Sequence, residues 1–543
     1  MTSSASDKVA MESSRFRGPP SHSVGSSAVT FGRKNYLMGS VSTEARCKAI
    51  LTSWDCNSLE KAENFLATQN SGAALELENF VSNKFSPSSQ HLDAINPKTG
   101  KVFARVPISS AEEVDAAVQD ATEAFKTWSK TTAAARSKYL QRIARLIQEN
   151  HELFAVWESI DQGKTLARAR VEVDRAISNF SYFSTLILHQ ETAARMIDGV
   201  ALTYEHRSPA GVFALISPWN MPLYLLTWKI APCLAFGCTA VAKPSEVTSI
   251  SAFLLSEVFR QAELPSGVIN VVFGDGPTTG AALVRNPLVK GVSFTGGTAT
   301  GIQIRRDTAD QIYKHLSLEL GGKNPTLVFD DVDLTKAVET AAMAAFDNQG
   351  EICLCGSRIY VQSSIYDRFV SMFTSYVKEN YQRGGKMGAV VSLPHYQKIR
   401  SYLELAASED ANFVIGEIPT AEPRDGLWID PVILTGVSTS SRVMREEIFG
   451  PVVTITAFER EQEAIELAND NPNGLAAVLL TKDGARIRRV GEQIEAGLVW
   501  VNCWLVRELG TPFGGMKNSG TGREGGEYSR DVFTVVRTLH IPM

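Results

Sequence analysis

From Gly211 onward the chain alternates short apolar runs with helix-patterned stretches, and this rhythm constrains its fold more than any other feature. Val212 to Ile216 reads as a strand before a helix. Strands at Thr239–Ala242, Val268–Phe273 and Gly291–Phe294 follow, separated by helical stretches at Ser249–Ala262 and near Thr278. Strand, helix, strand in this order builds a parallel sheet with helical crossovers. After Glu319 the pattern restarts, with a strand at Pro325–Val328, a helix over Leu334–Phe346 and a strand at Ile359–Val361. The expected class is α/β. A single core rarely grows past about 250–300 residues, so 543 residues predict two such domains.

The apolar stretch from Gly211 to Ala242 is broken by Pro218, Asn220, Pro222, Lys229 and Pro232. A membrane span needs about 20 apolar residues, so a buried strand and a buried helix fit better. Net charge is −5 without a basic block, which argues against nucleic-acid and membrane-surface partners. The seven cysteines are odd in number and form no C-x-x-C pair. Neither a disulfide framework nor a zinc ribbon is expected, and thiols in a reducing cytoplasmic compartment are the simpler reading. Residues 1–73 are Ser-rich and are expected to be disordered, with a marginal helix between Thr43 and Ala67. Arg15, Arg17 and Arg33 also suit a mitochondrial transit peptide, against which Asp7 and Glu12 count. Ser110–Glu113 has the form of a capping box, opening a helix through Val114, Ala117, Val118 and Ala121.

Five segments carry candidate chemistry. In Phe346–Arg358 a cysteine follows a helix and a glycine, where backbone N–H groups favour a thiolate. On local grounds Cys353 and Cys355 are equivalent, and a buried structural cysteine is the commoner use. Glu319, between two leucines and before Gly321 and Gly322, is placed for partial burial and general-base strength. Ser217–Pro222 is a rigid corner in which Asn220 can donate to an oxyanion, or simply satisfy its own turn. Lys243 and Glu246 end a strand, where open α/β sheets bind ligands, and a carboxylate there suits a ribose diol. Phe294–Gly301 runs from strand to helix, so its N–H groups face a pyrophosphate site, although the spacing is not G-x-G-x-x-G.

In this order the segments resemble the aldehyde dehydrogenase superfamily from about residue 75 to the C-terminus. The matching motifs are P-W-N at Pro218–Asn220, K-P-S-E at Lys243–Glu246, F-T-G-G at Phe294–Gly297, E-L-G-G-K at Glu319–Lys323, N-Q-G-E-x-C at Asn348–Cys353, E-E-I-F-G-P at Glu446–Pro451 and P-F-G-G-M-K-x-S-G at Pro512–Gly520. The resemblance implies a Rossmann-like NAD-binding domain over 74–320, a catalytic domain over 321–515, and an oligomerisation element made of a hairpin near 190–209 and the tail 516–543. It implies NAD as cofactor, no metal, and a homodimer or homotetramer. By family position the nucleophile is Cys353, the base Glu319 and the oxyanion donor Asn220. The cofactor contacts are Trp219, Lys243, Glu246, Gly296, Gly297, Glu447 and Phe449. Gly297 and Ala299 depart from the Ser and Glu common in the family. Glu246 favours NAD, because a carboxylate repels a 2′-phosphate.

Glu351–Cys355 and Leu498–Leu509 further resemble the 2-aminomuconic and 2-hydroxymuconic semialdehyde dehydrogenases, with betaine aldehyde dehydrogenases as the wider alternative. The muconic substrates carry a carboxylate remote from the aldehyde, and a guanidinium holds a carboxylate bidentately. The resemblance places that role on Arg507 and on Arg175. Asp174 stands where relatives have Pro, in position to pair with Arg175 and divert it.

Overall fold

The computed structural model describes residues 57–68 and 74–543. Its frame is an eight-stranded sheet. The strand Val212–Ile216 lies near its middle, with Thr239–Lys243 and Ile269–Val271 to one side and Val289–Thr295 and His315–Glu319 to the other, all parallel. Val212–Ile216 and Thr239–Lys243 are buried along their whole length, which is why each reads as a continuous apolar run rather than an alternating one. At one edge the hairpin of Asn79–Val81 and Lys84–Ser86 adds two antiparallel strands. At the other the chain returns late to add Gly520–Thr521. The hairpin was not anticipated. Its strands have three residues each, and its turn uses Ser82 and Asn83 at positive φ without a glycine.

A second sheet of seven strands runs Asn412–Ile415, Val432–Thr435, Val452–Phe458, Arg358–Gln362, Pro325–Val328, Ala476–Leu480 and Leu498–Val501. All its neighbours pair parallel except the first two. Both sheets belong to one compact unit. A third, three-stranded sheet joins Ala194–Ile197, Ala201–Pro209 and Thr534–Pro542, the last two paired over nine residues.

Local chemistry explains the supporting helices. Ala111–Trp128 starts at the expected capping box, the Ser110 side chain accepting from the Glu113 N–H while the Glu113 carboxylate accepts from the Ser110 N–H. The helix Pro222–Ala235 is buried on every face, so Lys229 within it needs internal partners. It finds the Ser293 hydroxyl at 3.0 Å and the Glu524 carboxylate at 3.5 Å. No helix among the described residues is long and apolar enough to cross a membrane. Within the extension, Leu59–Thr68 is a helix, overlapping the second part of the marginal helix expected between Thr43 and Ala67, and it packs Ala62, fully buried, toward the helix His151–Gln162. The rest of that extension, residues 1–56 and 69–73, lies outside the described residues.

Candidate active site

Consecutive strands diverge on either side of Val212–Ile216, and this leaves a crevice at the carboxyl ends of the strands. Ser217–Asn220 leave one strand there, Thr295–Gly297 leave its neighbour, Lys243 ends a third and Glu319 a fourth. Lys243, Glu246, Trp219, Gly296 and Gly297 line a groove of about 680 Å³. It shares Trp219, Gly296 and Gly297 with a narrower cavity of about 210 Å³ that reaches Asn220, Cys353, Glu447 and Phe449.

Cys353 sits on a loop between the helix Leu334–Phe346 and the strand Arg358–Gln362. The loop is bent by three successive residues at positive φ: Asn348 (51°), Gln349 (47°) and Gly350 (73°). A Cβ at Gly350 would lie 2.3 Å from the Gly450 carbonyl, so the position requires glycine. Hydrogen bonds hold the bend. Asn348 Nδ2 donates to the carbonyls of Asn220 and Glu351, and Asn324 Nδ2 donates to those of Cys353 and Cys355. The two cysteines then part company. Cys353 lines the cavity, whereas Cys355 is buried in the main core. Burial, and then the Glu447 and Glu319 carboxylates, push the Cys353 thiol up to about 12. Asn220 donates one amide hydrogen to the Glu351 carbonyl at 2.9 Å, which fixes the plane of the amide and leaves its second hydrogen for a ligand.

Glu319 is buried and neither carboxylate oxygen has a hydrogen-bond partner. Burial raises its pKa well above the ordinary value. The Glu524 charge adds to the rise, while Lys229, Arg523 and Arg507 oppose it. Glu524 itself is heavily bonded, accepting from Trp228 Nε1 at 2.6 Å, Ser293 Oγ at 2.8 Å and Ser317 Oγ at 2.9 Å. Sequence reasoning missed this Lys229–Glu524 pair. The only local signal was a lysine inside an otherwise apolar helix.

The groove suits a dinucleotide. Gly297 has open space where a Cβ would stand, and it caps the helix Thr298–Asp307 without a side-chain hydrogen bond. Such an end leaves its N–H groups for a phosphate. Gly296, by contrast, is packed: a Cβ there would meet Phe294 at 2.5 Å. Lys243 Nζ lies 3.7 Å from the Glu246 carboxylate, which remains partly exposed at the groove. Deeper in, Glu447 Oε1 accepts from the Gly322 N–H at 2.9 Å. Trp219 meets Phe449 edge-on at 5.1 Å and His395 at 4.8 Å. Phe449 adopts φ +63°, a strained value for a bulky residue. The His395 ring donates from Nε2 to its carbonyl at 2.6 Å, a contact in which the carbonyl can only accept.

The two arginines converge on one tyrosine. Arg507 Nη1 donates to the Tyr224 hydroxyl at 2.7 Å, and its guanidinium lies 4.0 Å from the Phe513 ring centre and 4.9 Å from that of Trp228. Its Nη2 is buried without a partner. The Arg175 guanidinium lies 5.7 Å from the Tyr224 ring centre. Asp174 does not divert it, because Asp174 turns to His151 Nε2 at 3.0 Å.

Comparison with known proteins agrees with this arrangement. A sequence profile described as the aldehyde dehydrogenase family matches residues 85–539. A 2-aminomuconic semialdehyde dehydrogenase of Danio rerio is 46% identical over 480 residues, spanning 86% of this chain and 98% of that protein. A 2-hydroxymuconic semialdehyde dehydrogenase of Pseudomonas sp. (strain CF600) is 42% identical over 86% of this chain and all of its own length. The crystal structure of betaine aldehyde dehydrogenase from Staphylococcus aureus in complex with NAD+ superposes with a TM-score of 0.82 at 36% identity, covering 86% of this chain and 94% of that one. With a profile match along most of its length and these relatives across nearly all of theirs, the chain belongs to the aldehyde dehydrogenase family, as an NAD-dependent oxidoreductase.

Proposed function

We propose that the chain oxidises 2-aminomuconate 6-semialdehyde to 2-aminomuconate, with Cys353 as nucleophile, Glu319 as base and Asn220 as oxyanion donor. The observation that carries the substrate reading is the buried, partnerless Nη2 of Arg507, close enough to the cavity for its charge to act on both Cys353 and Glu319. A buried guanidinium nitrogen without an acceptor is costly unless a ligand supplies one. A carboxylate at the far end of the aldehyde does so, and the 2-aminomuconic relatives carry that substrate in their names. The betaine-aldehyde alternative fits less well. The aromatic faces of Trp228 and Phe513 that would receive a quaternary ammonium already carry Arg507.

The residues divide the reaction as follows. Glu319, buried and without a protein hydrogen-bond partner, is basic enough to take the thiol proton of Cys353. The sulfur then bonds the aldehyde carbon, and the new oxyanion is held by the free Asn220 amide hydrogen and the Cys353 N–H. NAD+ bound in the groove would supply the hydride acceptor and a positive ring that favours the thiolate. Lys243 and Glu246 would hold the adenosine ribose, and the N–H groups at the start of the helix capped by Gly297 the pyrophosphate, the Gly296 N–H being committed to the Glu319 carbonyl at 3.0 Å; Trp219, Glu447 and Phe449 would hold the nicotinamide end. Hydride loss leaves a thioester on Cys353. Glu319, having released the thiol proton to solvent, next deprotonates a water, whose oxygen bonds the acyl carbon as the carbon–sulfur bond breaks and Cys353 leaves as thiolate. The three-stranded sheet of Ala194–Ile197, Ala201–Pro209 and Thr534–Pro542 exposes Met196, Val200 and Ile541, and we assign it to self-association as a dimer or tetramer.

A substrate panel tests the reading. Both muconic semialdehydes are expected to give kcat/KM at least about ten-fold above acetaldehyde and betaine aldehyde, the value of one charge-assisted hydrogen bond. An equal or higher kcat/KM on a simple aliphatic aldehyde overturns it.

A further inference from the structure

We infer that Tyr224 is a binding residue for the distal carboxylate of the substrate, donating its phenolic hydrogen to it alongside Arg507. The inference rests on the substrate reading above and adds a neutral donor to it. Tyr224 stands in the first turn of the helix that follows Asn220, so the corner that fixes the oxyanion donor also sets the start of the helix bearing this ring. The side chain is 5% exposed, and its ring faces the Arg175 guanidinium. Its own carbonyl accepts from Asn179 Nδ2 at 3.2 Å, and Asn179 stands one helical turn beyond Arg175 on Leu166–Leu186. The residue therefore ties the helix bearing Arg175 to the loop bearing Arg507.

A phenol both accepts and donates. Tyr224 accepts from Arg507 Nη1, and among the described residues its own hydrogen meets no acceptor. Arg507 Nη2 is also without one. The other neighbours of that guanidinium, Trp228 and Phe513, offer ring faces rather than lone pairs, so Tyr224 is what fixes its rotation. Two unused donors, a phenolic O–H and a guanidinium N–H, are thus joined through one hydrogen bond. A carboxylate has two oxygens to accept from them, and an amide or ester end has no charge to strengthen either contact.

The test compares wild type with Tyr224→Phe on 2-hydroxymuconic semialdehyde and on its methyl ester, each with saturating NAD+. The substitution keeps the ring and its packing. KM for the acid is expected to rise about ten-fold, the value of one hydrogen bond to a charged group, with kcat within about two-fold and the ester unaffected. Hexa-2,4-dienoate, a monocarboxylate of the same chain length with no aldehyde, serves as competitive inhibitor and reads the same contact by binding alone; its inhibition constant is expected to rise in parallel. An acid KM within about two-fold of wild type, or equal losses on acid and ester, overturns the role of Tyr224 while wild type still prefers the acid. A wild type that turns over the ester as well as the acid overturns the carboxylate reading itself.

Discussion

Replacing Arg507 by Ala removes the group that the substrate reading depends on most, and the structure bounds the effect. Nη1 is committed to Tyr224 and the rings of Trp228 and Phe513 take no hydrogen bond, so Nη2 is the nitrogen left for a ligand. One or two charge-assisted bonds of about 1.5–3 kcal/mol each are lost on a carboxylate-bearing substrate, allowing for non-additivity. At about 1.4 kcal/mol per ten-fold, kcat/KM on 2-hydroxymuconic semialdehyde should fall about 10- to 100-fold, chiefly through KM. No acid pairs with Arg507 among the described residues, so its removal orphans no buried charge. Its field also lowers the Cys353 and Glu319 pKa values, but it ranks behind burial and the neighbouring carboxylates. A neutral aldehyde should therefore lose no more than about three-fold on this smaller effect. Arg507→Lys keeps the charge without the fork and should fall between. Initial rates of NADH formation at 340 nm on the acid and on a neutral aldehyde give the comparison. Parallel losses on both would refute the carboxylate role.

Three further outcomes follow from other parts of the site. Glu524→Gln removes a negative charge that raises Glu319, so the acid limb of the kcat–pH profile should move to lower pH; an unmoved limb would separate Glu524 from the base. His395 is held near pKa 4 by burial against an ordinary 6.5, so the unfolded chain takes up a proton before the folded one does. Stability from this group is present above about pH 6.5 and is lost as pH falls toward 4, by about 3 kcal/mol in total. His395→Gln should flatten the melting temperature over that window, and an unchanged slope would remove His395 from the acid response. Cys353→Ala should abolish NADH formation while NAD+ still binds, whereas Cys355→Ala should keep turnover and cost about 1 kcal/mol in urea unfolding; the opposite pattern would move the nucleophile.

How much of this was legible in the sequence varies with the range of the interaction. Pro325–Val328 and Leu334–Phe346 stand where their patterns put them, because a buried parallel strand and a one-faced helix each write a local signature. The capping box at Ser110 did the same within four residues. What local pattern could not separate was Cys353 from Cys355: the difference is which one the left-handed bend at Asn348–Gly350 turns toward the cavity. Glu524 and Tyr224 carried no local mark, since each owes its place to contacts between segments far apart in the chain. The diversion of Arg175 by Asp174 was a fair local inference, overruled by His151 on the neighbouring helix.

The charges about the cavity also fix which end of a semialdehyde enters first. Around the thiol stand two carboxyl groups, Glu319 and Glu447, both raised by burial and both raising Cys353 in turn. A second carboxylate brought to that end would meet two carboxyl groups already short of water, whose neighbouring cations, Lys398 and Lys323 at Glu447 and Lys229 and Arg523 at Glu319, do not offset their burial. Arg507 offers the opposite field and an unused donor, with Arg175 behind the same tyrosine. A molecule with an aldehyde at one end and a carboxylate at the other is thus sorted by charge before any hydrogen bond forms. After oxidation the same field turns on the product. The new carboxylate forms beside Glu319 and Glu447, the one place the site disfavours it, so the electrostatics that orient the substrate also favour release of the acid.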